Sequence, residues 1–216
     1  MRKSILFFLL ALCLAACNAP PLYGKNAEEF LKQKGEPAEL IEALKRRRPI
    51  EESDAQRLAA YGNVAVKHLV GANPGTPVSL LVALSRHEDS EVRTGVAVNE
   101  NTPLDALLSM RTRGVYTTVN SMLARNPKIP VEILWEMQRF QEASLLDLGL
   151  NPASPPDLLR TVAKKGTSLD RTWLATNPSI PEDVMLDLAQ DPDELVRQYL
   201  ARNRNLSDEA RSLISP

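Results

Sequence analysis

Apolar and polar positions follow one another along most of the chain on a clock of about 26 residues. Five segments carry a large apolar residue with another three positions later: Leu81/Leu84, Leu107/Met110, Leu134/Met137, Leu159/Val162 and Met185/Leu188. Apolar residues spaced i, i+3 mark the buried stripe of a helix. Ahead of each pair stands an asparagine that opens a recurrent phrase: Asn73-Pro74-Gly75-Thr76-Pro77, Asn99-Glu100-Asn101-Thr102-Pro103, Asn126-Pro127-Lys128-Ile129-Pro130, Asn151-Pro152-Ala153-Ser154-Pro155 and Asn177-Pro178-Ser179-Ile180-Pro181. A sixth, Asn203-Arg204-Asn205-Leu206-Ser207, keeps the Asn, loses the Pro and has Ile214 in the later apolar slot. The Asn-to-Asn steps are 26, 27, 25, 26 and 26. Such regularity identifies a repeat array.

Each repeat predicts two helices. The Pro four positions after the Asn suits a first helical turn, where its missing N–H does no harm. Thr76, Thr102 and Ser154, just before it, are the expected N-caps. Asp105, Glu132, Asp157, Asp183 and Glu209 fall in the first turn, where the helix dipole favours negative charge. The first helix is expected to run about ten residues. The second element shows best in Asp89–Ala97 and Asp193–Ala201. Val92/Val96 and Val196/Leu200 are its i, i+4 apolar pairs; Asp89/Arg93 and Asp193/Arg197 are i, i+4 charge pairs worth a few tenths of a kcal/mol. The short stretch available limits it to two or three turns, partly 3₁₀ where space is tight.

Residues 25–72 read as a helical N-terminal cap. Ala27–Lys34 and Ala38–Arg47 are helical stretches separated by Gly35 and Pro37, and Ser53–Tyr61 with Val64–Val70 look like a degenerate repeat. Terminal units of a solenoid need a polar outer face. Residues 73–216 form the repeat solenoid, ending in a half-repeat from Asn203.

At the start of the chain, Arg2 and Lys3 precede the apolar run Ile5–Leu12. That run is too short to span a bilayer, which takes about 20 apolar residues. It ends in Leu14-Ala15-Ala16-Cys17, which resembles the lipobox of bacterial lipoproteins. The resemblance implies that residues 1–16 are a removable signal peptide, that Cys17 is lipidated, and that residues 17–24 are a short tether stiffened by Pro20 and Pro21. It places the chain in the cell envelope, attached to the membrane through Cys17. Asn18 is not the Asp that marks inner-membrane retention in enteric bacteria, so the outer membrane is expected if the source is Gram-negative.

The Asn-Pro-x-x-Pro phrase, the Leu-Leu type pair after it and the Val-Arg…Ala-x-Asn ending resemble the leucine-rich repeat variant family, over about Asn73 to Pro216. This implies an all-α fold: a right-handed α-solenoid of about six repeats, each joining an α-helix to a 3₁₀-helix. One family member carries an iron–sulfur cluster on a Cys-rich N-terminal segment. Here residues 20–72 contain no Cys, so no cluster and no cofactor is expected.

Composition narrows the chemistry. The 216 residues hold 26 Lys+Arg against 27 Asp+Glu, a net charge of −1 that becomes −3 once Arg2 and Lys3 leave. A nucleic-acid partner, which calls for a basic domain or stripe, is not expected. Cys13 leaves with the signal peptide and Cys17 carries lipid, so no thiol remains for a disulfide, a zinc site or a cluster. His68 and His87, 19 positions apart, read as surface histidines without metal. Neither Gly-x-Ser-x-Gly nor a catalytic Cys is present, and Glu51-Glu52 and Glu88-Asp89 read as helix starts. The chain is not expected to be an enzyme.

The six asparagines Asn73, Asn99, Asn126, Asn151, Asn177 and Asn203 are expected to form a structural ladder, since a binding site would vary from repeat to repeat. Lys45-Arg46-Arg47-Arg48 could meet phosphate or an acidic partner, or simply be a solvated helix end; Lys164-Lys165 is a weaker version. Trp173 and Tyr199 share a slot, 22 after the Asn, that other repeats fill with Gly95, Ser121 and Leu148; this range of size suggests loose packing. With Trp135, Arg171 and Arg202 they are candidate partner-binding residues. The expected role is an envelope scaffold that binds another envelope protein. The alternatives are binding of peptidoglycan or lipopolysaccharide and, last, a cell-wall hydrolase.

Overall fold

The structure, a computed structural model, describes residues 24–214. Cys17, the signal peptide and the tether before Gly24 lie outside the described residues. The chain divides into two compact units, one ending at Met110 and one beginning at Arg111. The first holds α1 (Gly24–Gln33), α2 (Ala38–Lys45), α3 (Glu52–Tyr61), α4 (Val64–Gly71), α5 (Val78–Leu84), α6 (Ser90–Ala97) and α7 (Leu104–Ser109). The second holds α8 (Thr118–Arg125), α9 (Val131–Arg139), α10 (Leu145–Leu150), α11 (Pro156–Lys165), α12 (Ser168–Leu174), α13 (Glu182–Ala189), α14 (Glu194–Leu200) and α15 (Asp208–Leu213). The fold is an all-helical repeat solenoid, with no strand among the described residues.

In the second unit the helices form two rows. The second helices of successive repeats, α8, α10, α12 and α14, pack side by side, while α11, α13 and α15 stack as first helices. The periodic apolar slots fill the space between the rows. Leu134, Met137, Leu159 and Val162 are fully buried, and Met185 and Leu188 nearly so. In the first unit Leu81 and Leu107 occupy the same slot, also fully buried. Burying one such side chain stabilises by about 1.5–3 kcal/mol.

The start of each first helix differs from expectation. Pro77, Pro103, Pro130, Pro155 and Pro181 occupy the N-cap itself, extended at φ between −60° and −70°. Their carbonyls accept the first helical bonds, from the N–H of Leu81, Leu107, Leu134, Leu159 and Met185 at 3.0–3.1 Å. The Pro thus fixes the register that buries those residues. Thr76, Thr102 and Ser154 are therefore not N-caps. Their hydroxyls turn back to the carbonyls of Val70 (2.5 Å), Val96 (2.8 Å) and Leu148 (2.6 Å), satisfying acceptors left over in the preceding second helix.

The second elements are short α-helices of six to eight residues rather than 3₁₀ segments. Asp89 and Asp193 cap them by accepting from Glu91 N and Leu195 N. The arginines expected to pair with these aspartates bond main chain instead, Arg93 to the carbonyls of His87 and Glu88 and Arg197 to that of Asp191.

The slot running from Gly95 to Tyr199 is tightly packed, against expectation. Gly95, Ser121, Leu148 and Trp173 are all buried. At Gly95 a Cβ would lie 2.3 Å from the carbonyl oxygen of His68, so only glycine lets α6 approach α4 this closely.

Candidate functional site

The repeat-start asparagines are buried and their amides are spent on the backbone. In all six, Oδ1 accepts from the N–H two residues on: Gly75, Asn101, Lys128, Ala153, Ser179 and Asn205, at 2.8–3.0 Å. This closes the turn that delivers the chain to its Pro N-cap. In Asn151, Asn177 and Asn203 Nδ2 reaches back one repeat with both hydrogens. Asn151 donates to the carbonyls of Ala124 (2.7 Å) and Asn126 (3.1 Å), Asn177 to those of Gly149 and Asn151, and Asn203 to those of Ala175 and Asn177. Asn99 does the same in the first unit with Gly71 and Asn73, and Asn73 donates to Arg48. Asn99, Asn151, Asn177 and Asn203, so committed, hold repeats together and have no amide hydrogen left for a ligand.

Other polar groups of the interior are committed as well. Asp147, fully buried, accepts through Oδ1 from Ser121 Oγ and Arg125 and through Oδ2 from the N–H and hydroxyl of Ser144. His68 is buried rather than on the surface. Its Nδ1 lies 2.9 Å from the carbonyl of Glu91 and 3.0 Å from the Glu91 carboxylate. Burial pushes its pKa down, outweighing the raising effect of Glu91, so the ring is neutral and donates to Glu91. Arg171 grips Asp191 with Nε and Nη2 and also reaches the carbonyl of Gly166. Burial pushes the Asp191 carboxyl up, but bonds from Arg171 and from the Asp193 N–H outweigh it and hold it below its usual range.

The candidate partner-binding residues separate. Trp173 is 8% exposed and packs edge-on against Tyr199, with ring centroids 5.6 Å apart. Arg202 covers the other ring at 5.7 Å. Trp173 is thus buried beneath a partly buried Tyr199 and an exposed Arg202, and Arg171 is taken by Asp191. Trp135, on the outer face of α9, is 36% exposed. In the basic run, Lys45 binds Glu28 and Glu42 and Arg46 binds Glu42, so two of its four cations face carboxylates of their own unit. Among the described residues no group of three or more His, Cys, Asp or Glu is placed to hold a metal. No described helix is long and apolar enough to cross a membrane.

A site that sequence reasoning missed lies on the turn joining Met110 to α8. Arg111, with its side chain 5% exposed, donates Nε to Glu142 (2.6 Å) and Nη1 to Glu136 (2.8 Å). Glu142 is fully buried and takes the N–H of Gly114 at 2.8 Å with its other oxygen. Asn120, also fully buried, accepts from Thr112 N and donates to the carbonyls of Thr112 and Val115. Gly114 supplies the left-handed bend at φ 71°. Burial pulls the Arg111 pKa down, but Glu142 and Glu136 outweigh it and leave the group firmly charged. This bracing holds Val115 (52%) and Tyr116 (56%) out into solvent. Phe140 (51%) sits two residues from Glu142 with Arg139 over its ring at 5.5 Å. Two exposed apolar residues on a seven-residue turn are no periodic signal, and Glu142 reads in the sequence as an ordinary surface acid. Only the fold reveals them.

No protein-family model matches the chain, and no curated protein matches it. Among solved structures the chain is similar to one described as a leucine-rich repeat variant with a novel repetitive protein structural motif, at 21% identity over 96% of this chain and 94% of that one, with a TM-score of 0.43.

Proposed function

We propose that the chain is a lipid-anchored protein of the bacterial envelope whose helix-pair array is a scaffold for another envelope protein. The observation that supports it most is the braced turn 111–117. A buried Glu, a buried Asn and an almost buried Arg are spent on holding Val115 and Tyr116 outside, where they contribute nothing to the core. Exposed Tyr and Phe beside Arg is the composition that dominates binding at protein interfaces. The anchor is read from Leu14-Ala15-Ala16-Cys17 alone. Acyl chains on Cys17 contribute about 0.8 kcal/mol for each buried CH₂, enough to hold the body at a membrane without contact from the helices.

Photo-crosslinking in intact cells tests the scaffold, with probes at Tyr116 and Trp135 and a control at Glu182 on the exposed start of α13. A discrete protein adduct at Tyr116 and none at Glu182 is the expected result. Adducts to glycan or lipid alone, or none, would overturn it. Metabolic labelling with an alkyne fatty acid, lost in Cys17→Ser, tests the anchor separately.

A further inference from the structure

The turns that join first to second helices in the second unit form a cationic edge. Arg113 lies on the braced turn, Arg139 and Lys164 occupy one register position, thirteen after the Asn, in successive repeats, and Lys165 follows. All four are exposed and among the described residues none is hydrogen-bonded to a carboxylate, although Arg113 lies near enough to Glu136 to help hold its carboxyl below the usual range. The acidic groups nearby are already engaged. Glu142 and Glu136 are held by Arg111, Asp191 by Arg171, and Asp170 is turned into the N-cap of α12, accepting from Thr167 N and Oγ1. The same edge carries the exposed apolar side chains of Val115, Tyr116, Phe140 and Leu169. The chain as a whole has a net charge of −1, so this edge runs against its average.

We infer that this edge is the docking surface of the scaffold and that its partner is an acidic polypeptide segment bearing aromatic or large aliphatic side chains. The inference rests on the scaffold reading above and adds the chemistry of the partner. Cations with no carboxylate bonded to them select an acidic partner and exclude basic ones, since like charges brought together in a desolvated contact are unfavourable. The apolar tips supply the area from which affinity comes. A polypeptide fits better than a lipid surface because the tips are fixed by Glu142, Asn120 and Gly114 in one conformation. A fluid bilayer gains nothing from that rigidity, whereas a shaped partner loses less entropy on binding a preorganised surface.

The probe is a synthetic peptide alternating Glu with Phe and Leu. It is titrated against the chain from Asn18 onward, which contains every described residue, and followed by amide NMR shifts. Saturable shifts are expected at residues 112–117, 139–141 and 164–169, with binding weakened at least tenfold in Arg113→Glu/Arg139→Glu. Tyr116→Ala/Phe140→Ala should weaken it similarly without changing the melting temperature. A peptide with Lys for Glu should not bind. Equal binding of the Lys peptide, shifts elsewhere, no shift at millimolar peptide, or edge-dependent binding to phosphatidylglycerol vesicles in place of the peptide would each overturn the inference. If the peptide fails while Tyr116 still crosslinks to a protein in cells, the partner chemistry is wrong and the scaffold stands; if both fail, the scaffold falls too.

Discussion

Replacing Asn151 tests directly what joins one repeat to the next. Its side chain is fully buried and makes three hydrogen bonds: Nδ2 to the carbonyls of Ala124 and Asn126, and Oδ1 from Ala153 N. In Asn151→Ala two carbonyls lose a donor and one N–H loses its acceptor. Each unsatisfied buried group costs about 1–3 kcal/mol, and partial relaxation brings the expected total to about 3 kcal/mol. That is a large part of the 5–15 kcal/mol typical of a domain. Two companions make the measurement decisive. Asn205→Ala removes an exposed bond to the carbonyl of Pro178 and should change stability by less than about 0.5 kcal/mol. Asn151→Asp keeps the shape and the Oδ1 acceptor but sets an oxygen against two carbonyl oxygens, so it should be at least as damaging as alanine. Urea unfolding followed by far-UV circular dichroism gives the three midpoints. If Asn151→Asp proves milder than Asn151→Ala, packing rather than hydrogen bonding governs the ladder. If both match Asn205→Ala, the ladder contributes nothing.

Three further outcomes follow from the geometry. Gly95→Ala places a Cβ 2.3 Å from the His68 carbonyl oxygen, so α6 must move off α4; a loss of about 1–3 kcal/mol is expected, read as a lower urea midpoint. Glu142→Ala leaves Arg111 with Glu136 alone and Gly114 N–H without its acceptor, and should cost about 3 kcal/mol, whereas Glu142→Gln retains an acceptor for Gly114 N–H and should cost less; the pair is compared by thermal melting. Acid should weaken the fold in two steps. Burial lowers the His68 pKa below its ordinary 6.5, so below that pH the unfolded chain takes up a proton that the folded chain refuses. Stability is full above 6.5 and declines as pH falls towards the folded value. The second step belongs to Glu28, held down to about 2 by bonds from Lys32 and Lys45, with Glu36, lowered by Arg57, and Asp191. Their contribution is present above the ordinary carboxylate range and is lost as pH drops through their folded values. The first step should vanish in His68→Gln when urea midpoints are measured from pH 7.5 downward, and its persistence would remove His68 as the cause.

The array was legible because repetition multiplies a weak signal. One Leu81/Leu84 pair predicts little, but the same pair at five stations predicts a buried row, and Leu81, Leu107, Leu134 and Leu159 are all fully buried. Hydrogen bonding to the main chain was only half legible. The spacing marked Thr76 and Ser154 as caps, yet what a hydroxyl does depends on which carbonyl lies within reach, and that carbonyl belongs to the preceding helix. Size variation misled at the slot from Gly95 to Trp173. Each position there is packed against a different neighbour, so change along the slot reflects changing spacing between second helices and not open space. Outward-facing aromatics could not be told from inward-facing ones. Trp173 and Trp135 stand in equally plausible helical positions, and only the packing of Tyr199 on Trp173 separates them.

Repetition also explains where specificity must reside. A residue present in every repeat cannot distinguish one face of the array from another, so the Asn ladder and the Pro caps are barred from choosing a partner. Choice falls to departures from the repeat. The second helix starts 16 positions after the repeat's Asn at Ser90, Ser168 and Glu194, counting to the N-caps Asp89, Thr167 and Asp193, but 18 positions after it at the N-caps Thr117 and Ser144. The late start at Thr117 comes from the longer turn that carries Val115 and Tyr116; the one at Ser144 comes from the nine-residue α9, which ends beside Phe140. They lie next to each other in sequence order and are tied together by the Glu142 bonds to Arg111 and Gly114. A turn that merely accumulated on the surface would be expected to be polar and unbraced, since a buried carboxylate must be paired to be tolerated. In the turn 111–117 two apolar residues stand outside while Arg111 and, beneath it, Glu142 are buried, the inverse of what folding alone requires, and this supports the docking surface proposed at this edge.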